Sequence, residues 1–198
     1  ESRQAILNRV SQVGGHLGSN MGIVETTIAL HYVFDSPYDK LVFDVSHQSY
    51  THKILTGRYF GFTNKKRFNE ISGFSNTDES EHDIFNVGHT STSISTCIGL
   101  CKARDLRGSG ENVIAIIGDG SLSGGEALEG FNVASELKSN LIIIVNDNDM
   151  SIAENHGGLY SNLRDLRASQ GKCPNNLFRA FGLDYVYIDK GNDLATLI

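Results

Sequence analysis

The chain has 198 residues, of which 39% are hydrophobic and 20% are charged, so it can bury a core as a single domain. Its formal net charge is -6 and its 17 basic residues are scattered, which argues against general nucleic-acid binding because phosphate contacts need clustered Lys and Arg. Its apolar stretches are shorter than the ~20 residues that cross a bilayer, so we expect no membrane partner.

The three cysteines, Cys97, Cys101 and Cys173, show no spacing typical of a disulfide framework. Cys97 and Cys101 are four residues apart in a predicted helix, beside Ile94 and Ile98, so we expect them to fill an apolar face rather than bind metal. This cysteine usage favours a reducing compartment, and we expect a cytoplasmic protein.

The first part of the chain predicts two helices and a short strand. Residues 2 to 12 are predicted to form a helix that ends at Gly14-Gly15, followed by a glycine-punctuated loop from residue 16 to 22. Residues 22 to 34 have helical periodicity, and Leu41 to Val45 reads as a strand.

The next part alternates turns and helices. The turn Ser46 to Ser49 precedes a helix through Lys53 to Leu55, and residues 58 to 83 read as a long loop. A strand-loop-helix boundary is predicted at Asn86 to His89, before a helix from Ser91 to Arg104.

Two apolar runs, Val113 to Ile117 and Leu141 to Val145, read as buried strands on either side of a helix around Glu126 to Leu137. Tyr185 to Ile188 alternates in hydrophobicity and predicts one more strand. Strands that alternate with helices predict an α/β fold, with a mostly parallel sheet covered by helices on both faces.

Polar motifs follow both buried strands: Gly118-Asp119-Gly120 after the first and Asn146-Asp147-Asn148 after the second. A right-handed βαβ crossover would place both at the same sheet edge, where ligands bind. Asp119 and Asn148 could then offer oxygen ligands to a cation such as Mg²⁺. The alternative is a tight strand-to-helix turn that uses Gly-Asp-Gly only for its backbone freedom.

Three histidines, His16, His47 and His89, lie in predicted turns at ligand-facing edges. An imidazole there could hydrogen-bond a diphosphate or move a proton near neutral pH. Alternatively, each caps a turn or satisfies nearby backbone groups. No catalytic role is assigned to the remaining histidines that lie in a helix or in polar surroundings, namely His31, His82 and His156.

The run from Gly88 to Ser93 is predicted to open a helix with hydroxyls and exposed backbone N–H groups, which favours an anion. Ordinary N-capping by Thr90 or Ser91 would explain the same residues without a ligand.

Six segments resemble the 1-deoxy-D-xylulose-5-phosphate synthase family, a branch of the transketolase superfamily, over nearly the whole chain. They are Gly14-Gly15-His16-Leu17-Gly18-Ser19, Asp44 to Arg58, Val87 to Ser95, Gly118-Asp119-Gly120, Asn146 to Ile152 and Phe178 to Gly182. Within the second segment, the run from His52 to Arg58 separates this family from ordinary transketolases. Three departures from the family pattern place the chain in a divergent branch: Ser46 where the family usually has Gly, Asn20-Met21 in place of a more apolar Gly-Leu pair, and a short stretch from Tyr160 to Asn176.

The resemblance implies the thiamine-diphosphate-binding fold and a reaction of pyruvate with glyceraldehyde 3-phosphate that releases CO₂ and yields 1-deoxyxylulose 5-phosphate. It implies thiamine diphosphate and Mg²⁺ as cofactors, and a homodimer. His16 matches the histidine expected to transfer protons near the reacting carbon. The implied metal ligands are Asp119, Asn148 and the backbone oxygen of Met150. The implied cofactor contacts are His47, Gly88, His89, Thr90, Gly120, Ser121 and Asn148.

By the same resemblance, residues 1 to 198 are the diphosphate-binding domain, and the pyrimidine-binding and C-terminal domains are absent from this chain. We therefore expect the chain alone to bind cofactor partially, without turnover. Two alternatives remain: a transketolase-type subunit that acts on other ketose or keto-acid substrates, and a non-catalytic cofactor-binding paralogue.

Overall fold

The computed structural model describes residues 1–150 and 153–198. In it the chain forms two compact units: the first comprises Glu1–His89 with Lys190–Ile198, and the second comprises Thr90–Asp189. Ser151 and Ile152, the last residues of the motif that begins at Asn146, lie outside the described residues.

The regular elements follow in chain order. They are α1 (Ser2–Val13), α2 (Leu17–Met21), α3 (Val24–Val33), β1 (Lys40–Phe43), α4 (Tyr50–Lys53), α5 (Phe60–Thr63), α6 (Ser93–Arg107), β2 (Val113–Gly118), α7 (Gly125–Leu137), β3 (Leu141–Asn146), α8 (Gly158–Ala168), α9 (Leu177–Ala180) and α10 (Leu194–Leu197). A π-helical turn covers Ile54–Arg58, and 3-10 turns cover Lys65–Glu70 and Asp119–Ser123. Among the described residues, none of these helices is long and apolar enough to cross a membrane.

The core of the first unit joins α1 to the segments that follow β1. Its buried residues are Ala5, Ile6, Val24, Tyr50, Phe62 and Ile71. Arg9 on the same helix is buried and donates to the carbonyl oxygens of Phe68 at 3.0 Å and Ile71 at 2.7 Å, which satisfies its guanidinium. A Cβ at Gly61 would lie 2.1 Å from Ile71 Cγ1, so the close approach of α5 requires glycine.

In the second unit β2 and β3 pair in parallel, with register from Val113↔Leu141 to Gly118↔Asn146, and α7 connects them. This is the predicted βαβ unit, and the predicted α/β class is confirmed. Helix α6 packs against α7 and β2, and its Cys97 and Cys101 are fully buried, as expected for an apolar face. Strand β2 is buried, whereas β3 is only half-buried along its length, so the prediction of two buried strands is wrong for β3.

Two predicted elements are wrong. The loop from residue 16 to 22 contains α2, whose Asn20 side chain links it to the turn at His47. The predicted strand from Tyr185 to Ile188 forms no strand in the part of the chain that the structure describes. Tyr185 instead stacks on Phe178 of α9 at 5.4 Å between ring centroids. Burial alternates from Tyr185 to Ile188, as the sequence pattern predicted, but among the described residues the segment lacks the strand partner that a sheet requires.

Two further boundaries differ from prediction. The predicted loop from residue 58 to 83 includes α5 and the 3-10 turn, because Phe62 and Phe68 are buried and anchor it. At the predicted strand-loop-helix boundary the helix is present as α6, but the described residues just before Asn86 form turns and irregular backbone rather than a strand.

Candidate functional site

The carboxyl ends of β2 and β3 lie at one edge of the sheet, as the sequence predicted. Gly118 is in register with Asn146. Asp119 and the turn that runs up to Met150 therefore begin at the same level of the sheet. A Cβ added at Gly118 would meet nothing within 4 Å, which leaves open space beside this strand end. The arrangement gives a ligand access to backbone and side chains at this edge.

Asp119 is a buried carboxylate, with 3% of its surface exposed. Its Oδ2 accepts a hydrogen bond from Asn155 Nδ2 at 2.8 Å. Burial, and to a lesser extent the nearby charge of Asp147, raise the pKa of Asp119 to about 6. A carboxylate that is held away from water beside another carboxylate would be stabilised in its charged form by a cation.

The turn after β3 is shaped by its own polar side chains. Asn148 Oδ1 accepts a hydrogen bond from the backbone N–H of Met150, and Asp147 Oδ1 accepts one from that of Asp149, each at 3.1 Å. These are Asx turns, which allow Asp149 its positive φ of 60°. Asn148 and Met150 are exposed, so their oxygens are accessible to a ligand.

Arg167 of α8 holds the same turn through ion pairs with two of its carboxylates. It pairs with Asp147, and its Nη2 lies 2.8 Å from Asp149 Oδ1. Sequence reasoning missed Arg167 and Asn155, since neither stands in a recognisable motif. The available signal was the pair of extra carboxylates in the Asn146–Asp149 run, whose negative charge a nearby cation would stabilise.

Thr90 and Ser121, two predicted cofactor contacts, lie together: Thr90 Oγ1 donates to Ser121 Oγ at 2.8 Å. Ser91 Oγ donates to the Ser121 carbonyl at 2.7 Å, with Ser91 at a positive φ of 72°. A Cβ at Gly124 would lie 1.9 Å from Ser91 Oγ, so this close approach requires glycine. Thr92 is the N-cap of α6, so the alternative that Thr90 or Ser91 caps it is wrong.

Gly120 lies in the 3-10 turn after β2, and its carbonyl accepts a hydrogen bond from the Tyr160 hydroxyl at 3.4 Å. In the first unit, Gly88 and His89 lie in an exposed turn after Val87. A Cβ at Gly88 would meet nothing within 4 Å, so this turn is also open to a ligand.

The first unit brings His16 and His47 together. Their ring centroids are 5.3 Å apart in an edge-to-face arrangement. The ring centroid of Phe74 lies 5.4 Å from that of His16, also in an edge-to-face arrangement. His16 is exposed, whereas His47 is half-buried, and its buried Nδ1 has no hydrogen-bond partner among the described residues. Burial, and then the proximity of His16, lower the pKa of His47, so His47 is neutral at pH 7.

Asn20 ties the two histidine turns to each other. This fully buried side chain donates to the carbonyl oxygens of His16 at 2.6 Å and His47 at 2.8 Å, and it accepts from the backbone N–H of Tyr50 at 2.9 Å. Its amide is therefore used on both the donor and the acceptor side. Sequence reasoning assigned Asn20 no role, because only the tertiary structure places three backbone groups around it.

The turn that carries His47 adopts a backbone conformation that is rare for residues with side chains. Val45 and Ser46 have φ of 58° and 68°. Ser46 Oγ donates to the Val87 carbonyl at 2.9 Å and accepts from the backbone N–H of Ser75 at 2.8 Å. Ser46 thus contributes two hydrogen bonds that a glycine at this position would lack.

Comparison with known proteins agrees with the resemblance seen in the sequence. The family model described as 1-deoxy-D-xylulose-5-phosphate synthase matches residues 1–174. The chain is 55% identical to 1-deoxy-D-xylulose-5-phosphate synthase 1 of Geobacter sulfurreducens over 234 residues, covering 100% of this chain and 37% of that protein. It is 53% identical to the synthase of Halalkalibacterium halodurans, covering 85% of this chain and 27% of that protein. The chain thus spans 27% to 37% of the length of these two relatives.

Solved structures show the same fold. A transketolase mutant of Pichia stipitis in complex with xylulose 5-phosphate has a TM-score of 0.76 at 17% identity and covers 99% of this chain and 32% of that chain. The transketolase of Leishmania mexicana has a TM-score of 0.70 at 17% identity with the same coverage. The match of the family model and the identity to the bacterial synthases show that the chain belongs to the 1-deoxy-D-xylulose-5-phosphate synthase family.

Proposed function

We propose that this chain holds thiamine diphosphate and Mg²⁺ for an enzyme that converts pyruvate and glyceraldehyde 3-phosphate to 1-deoxyxylulose 5-phosphate and CO₂. The observation that carries the proposal is the buried Asp119 carboxylate at the carboxyl edge of two parallel strands, with its pKa raised to about 6. Structural carboxylates are normally paired with a cation, whereas the side-chain hydrogen bond that Asp119 accepts from the described residues comes from the neutral amide of Asn155.

The donor atoms at this edge fit a magnesium ion. Asp119 offers a carboxylate oxygen, Asn148 an amide oxygen and Met150 a backbone carbonyl, and Mg²⁺ prefers such hard oxygen ligands together with phosphate oxygens and water. The positive charge of the ion would remove the penalty that burial and Asp147 impose on ionised Asp119. Arg167 would keep Asp147 and Asp149 paired, so that these two carboxylates do not compete for the ion.

The residues proposed to bind the diphosphate also have the chemistry that an anion requires. Thr90 and Ser121 bring two hydroxyls within 2.8 Å of each other, and Gly120 adds backbone without a side chain. The orphan N–H groups at the start of α6 favour an anion. In a chain of net charge -6, binding of a diphosphate depends on such groups and on the metal.

In the first unit we propose cofactor contacts by His47, Gly88 and His89, and a proton-transfer role for His16. The unpartnered buried Nδ1 of His47 and the open space at Gly88 are consistent with contact to a polar ligand. Thiamine diphosphate, when bound, supplies a stabilised carbanion. The exposed imidazole of His16 can give or take the proton at the reacting carbon.

Titration calorimetry with thiamine diphosphate in the presence of Mg²⁺ tests the metal role. We expect Asp119→Ala to lower the affinity at least tenfold, because the main charged ligand of the ion is lost, whereas Glu136→Gln on the exposed face of α7 leaves it unchanged. Circular dichroism of both variants checks that each is folded. Unchanged affinity in Asp119→Ala would contradict the metal role and favour a different mode of cofactor binding.

Turnover is tested by product analysis. We propose that the 198 residues alone bind cofactor without turnover, because the family resemblance implies that the glutamate that activates the aminopyrimidine of the cofactor lies in a second domain. Ordinary synthase rates from this chain by itself would refute that division. In the longer enzyme, product from a ketose donor but none from pyruvate would instead identify a transketolase-type activity.

We also propose a homodimer located in the cytoplasm, on the basis of the family. Light scattering at several protein concentrations tests the first part. A constant monomer mass for the longer enzyme would exclude the dimer. Fluorescence microscopy of the tagged protein tests the second part.

A further inference from the structure

Part of the motif from His52 to Arg58 has no role in the site described above, yet it forms the most highly charged buried cluster seen in the first unit. The side chains of Lys53 and Arg58 are 0% and 4% exposed. Lys53 Nζ lies 2.5 Å from Glu79 Oε2, and Arg58 donates to both oxygens of Asp83, at 2.7 and 2.8 Å. We call these two cations and two carboxylates the buried ion network; their charges balance, as buried charges must.

Two histidines extend the network. His52 Nε2 lies 3.2 Å from Asp83 Oδ1, and His31 Nε2 lies 2.9 Å from His52 Nδ1. Burial lowers the pKa of His52, and lowers that of His31 to about 4, so both rings are neutral at pH 7. Neutral His52 then donates from Nε2 to the carboxylate and accepts at Nδ1 from His31. Asp83 is thus surrounded by donors.

The two carboxylates also hold the backbone of their own segment. Residues 71–87, all of which the structure describes, contain no helix or strand. Glu79 Oε1 accepts from the backbone N–H of Ser72 at 2.6 Å, and Asp83 Oδ2 accepts from that of Asn76 at 2.8 Å. Each carboxylate therefore connects a buried cation on one side to a backbone N–H on the other, so the irregular backbone from 72 to 76 has a defined shape.

Phe74 lies in the middle of this held stretch. The next backbone N–H, that of Ser75, donates to Ser46 Oγ at 2.8 Å, which ties the stretch to the turn that carries His47. The ring centroids of Phe74 and His16 are 5.4 Å apart, and those of His16 and His47 are 5.3 Å apart. His16 is exposed and would otherwise be free to change rotamer, so these two rings restrict its orientation.

We infer that the buried ion network positions His16: it fixes residues 72–76, and so holds the Phe74 ring against the His16 imidazole beside His47. Lys53, Arg58, Glu79 and Asp83 are positioning residues in this arrangement, and Phe74 is the contact through which they act. The importance of this orientation for catalysis rests on the proton-transfer role proposed for His16. The orientation itself does not depend on that role.

Stability alone is a weak explanation for such a network. Replacing a buried ion pair by apolar side chains of similar size is often neutral or stabilising, because desolvation offsets most of the attraction. Directional ion pairs that also accept backbone N–H groups define one conformation of an irregular segment, which apolar contacts do less well. A reacting group must be held accurately in place, because small displacements lower the reaction rate by large factors.

The test uses the double variant Lys53→Met/Glu79→Leu of the 198-residue chain, which also removes the carboxylate that accepts from the Ser72 backbone N–H. It removes one buried cation and one buried anion together, so no charge is left without a partner, while Arg58 and Asp83 remain paired. Glu81→Gln is the control, because Glu81 is an exposed carboxylate of the same segment. The readouts are the NMR cross-peaks between the ring protons of His16 and His47, and the thermal unfolding midpoint.

We expect the double variant to stay folded and to lose the His16–His47 cross-peaks, with the control unchanged in both readouts. Cross-peaks that persist unchanged in the folded double variant would overturn the inference. If the double variant does not fold, Phe74→Leu decides, since it leaves the ion network intact: loss of the same cross-peaks supports the inference, and their retention overturns it.

Calorimetry on the same samples separates this inference from the proposed function. Loss of the cross-peaks in the variants, together with a wild-type chain that fails to bind thiamine diphosphate and Mg²⁺, would leave the positioning of His16 supported and the cofactor proposal refuted. Retained cross-peaks with normal cofactor affinity would refute the positioning and leave the cofactor proposal intact.

Discussion

Asp83 in the first unit and Asp119 in the second are both buried carboxylates, but their surroundings differ. Although burial raises the pKa of Asp83, hydrogen bonds from His52 and Arg58 hold it well below its usual range. Asp119 receives an amide hydrogen bond from Asn155 and lies near Asp147, and its pKa is raised to about 6. The protein compensates the charge of Asp83 fully and that of Asp119 only in part.

This difference separates structure from function in a chain with many acidic residues. A carboxylate whose charge is matched by cations and N–H donors inside the fold has no need of a ligand. A carboxylate whose charge is disfavoured by its surroundings, at an edge where ligands bind, is a candidate for a cation. Substitutions at Asp83 and Asp119 test this contrast, and substitutions at His31 and Ser46 test two further features of the first unit.

The largest effect is expected at Asp83. Asp83→Ala should lower the free energy of unfolding by about 3 to 5 kcal/mol, because Arg58 would keep a buried charge without its bidentate partner. Urea denaturation at pH 7 measures this change. Glu81→Ala, at an exposed carboxylate two residues earlier, is the control and should differ from the wild type by less than about 0.5 kcal/mol. A small effect at Asp83 would remove the contrast.

Asp119→Asn should act in the opposite direction in the absence of Mg²⁺. The pKa of Asp119 is about 6 in the folded chain and 3.8 as the reference value, so the wild type loses stability as the pH rises from about 4 to 6. The amide does not titrate, and we expect the variant to be more stable at pH 7 by about 1 to 3 kcal/mol. Urea denaturation at pH 4 and pH 7 checks the sign. An equal or lower stability at pH 7 would show that the charge of Asp119 is already compensated.

His31→Gln should flatten the acid side of the stability profile. The pKa of His31 is lowered from 6.5 to about 4, so its neutral form contributes stability above pH 6.5 that is lost as the pH falls toward 4. We expect the wild type to lose about 1 to 2 kcal/mol from this group over that interval, allowing for its partly exposed ring. Glutamine can donate to His52 without titrating. The same pH slope in wild type and variant would assign the loss to other groups.

The smallest effect is expected at Ser46, where backbone strain and hydrogen bonding oppose each other. Ser46→Ala keeps the positive φ and loses both Oγ hydrogen bonds, at a cost of about 1 to 2 kcal/mol. Ser46→Gly loses the same bonds but relieves the strain, so it should be more stable than the alanine variant by about 1 kcal/mol. Thermal unfolding of the two variants measures the difference. Equal stability would mean that the turn carries no strain.

Much of the second unit could be predicted from the sequence. The apolar runs before Gly118 and Asn146 and the helical pattern between them determine a βαβ unit, and parallel strands end at one edge by geometry. The strand predicted at Tyr185 failed because alternation describes one segment alone, whereas a strand needs a partner. The half-burial of β3 was not predictable either, because an apolar run does not report what covers it.

Some residues of the candidate site could likewise be predicted from the sequence, and others could not. Asp119, Asn148 and the three turn histidines stand in motifs, so the sequence singled them out. Asn20, Asn155 and Arg167 act on those residues from distant positions, and side chains of these types are common in any chain. Their contacts to His47, Asp119 and Asp147 exist only after folding.

The sequence by itself determined the α/β class, the crossover that sets two polar turns at one sheet edge, and the family. These follow from local periodicity and from motifs that are contiguous in the chain. Only the tertiary structure decided which charges are compensated: it surrounded Asp83 with Arg58 and His52, and it left Asp119 beside Asp147. The reason is physical, because the charge state of a buried group depends on neighbours within a few ångströms, and these neighbours are brought together from separate parts of the chain.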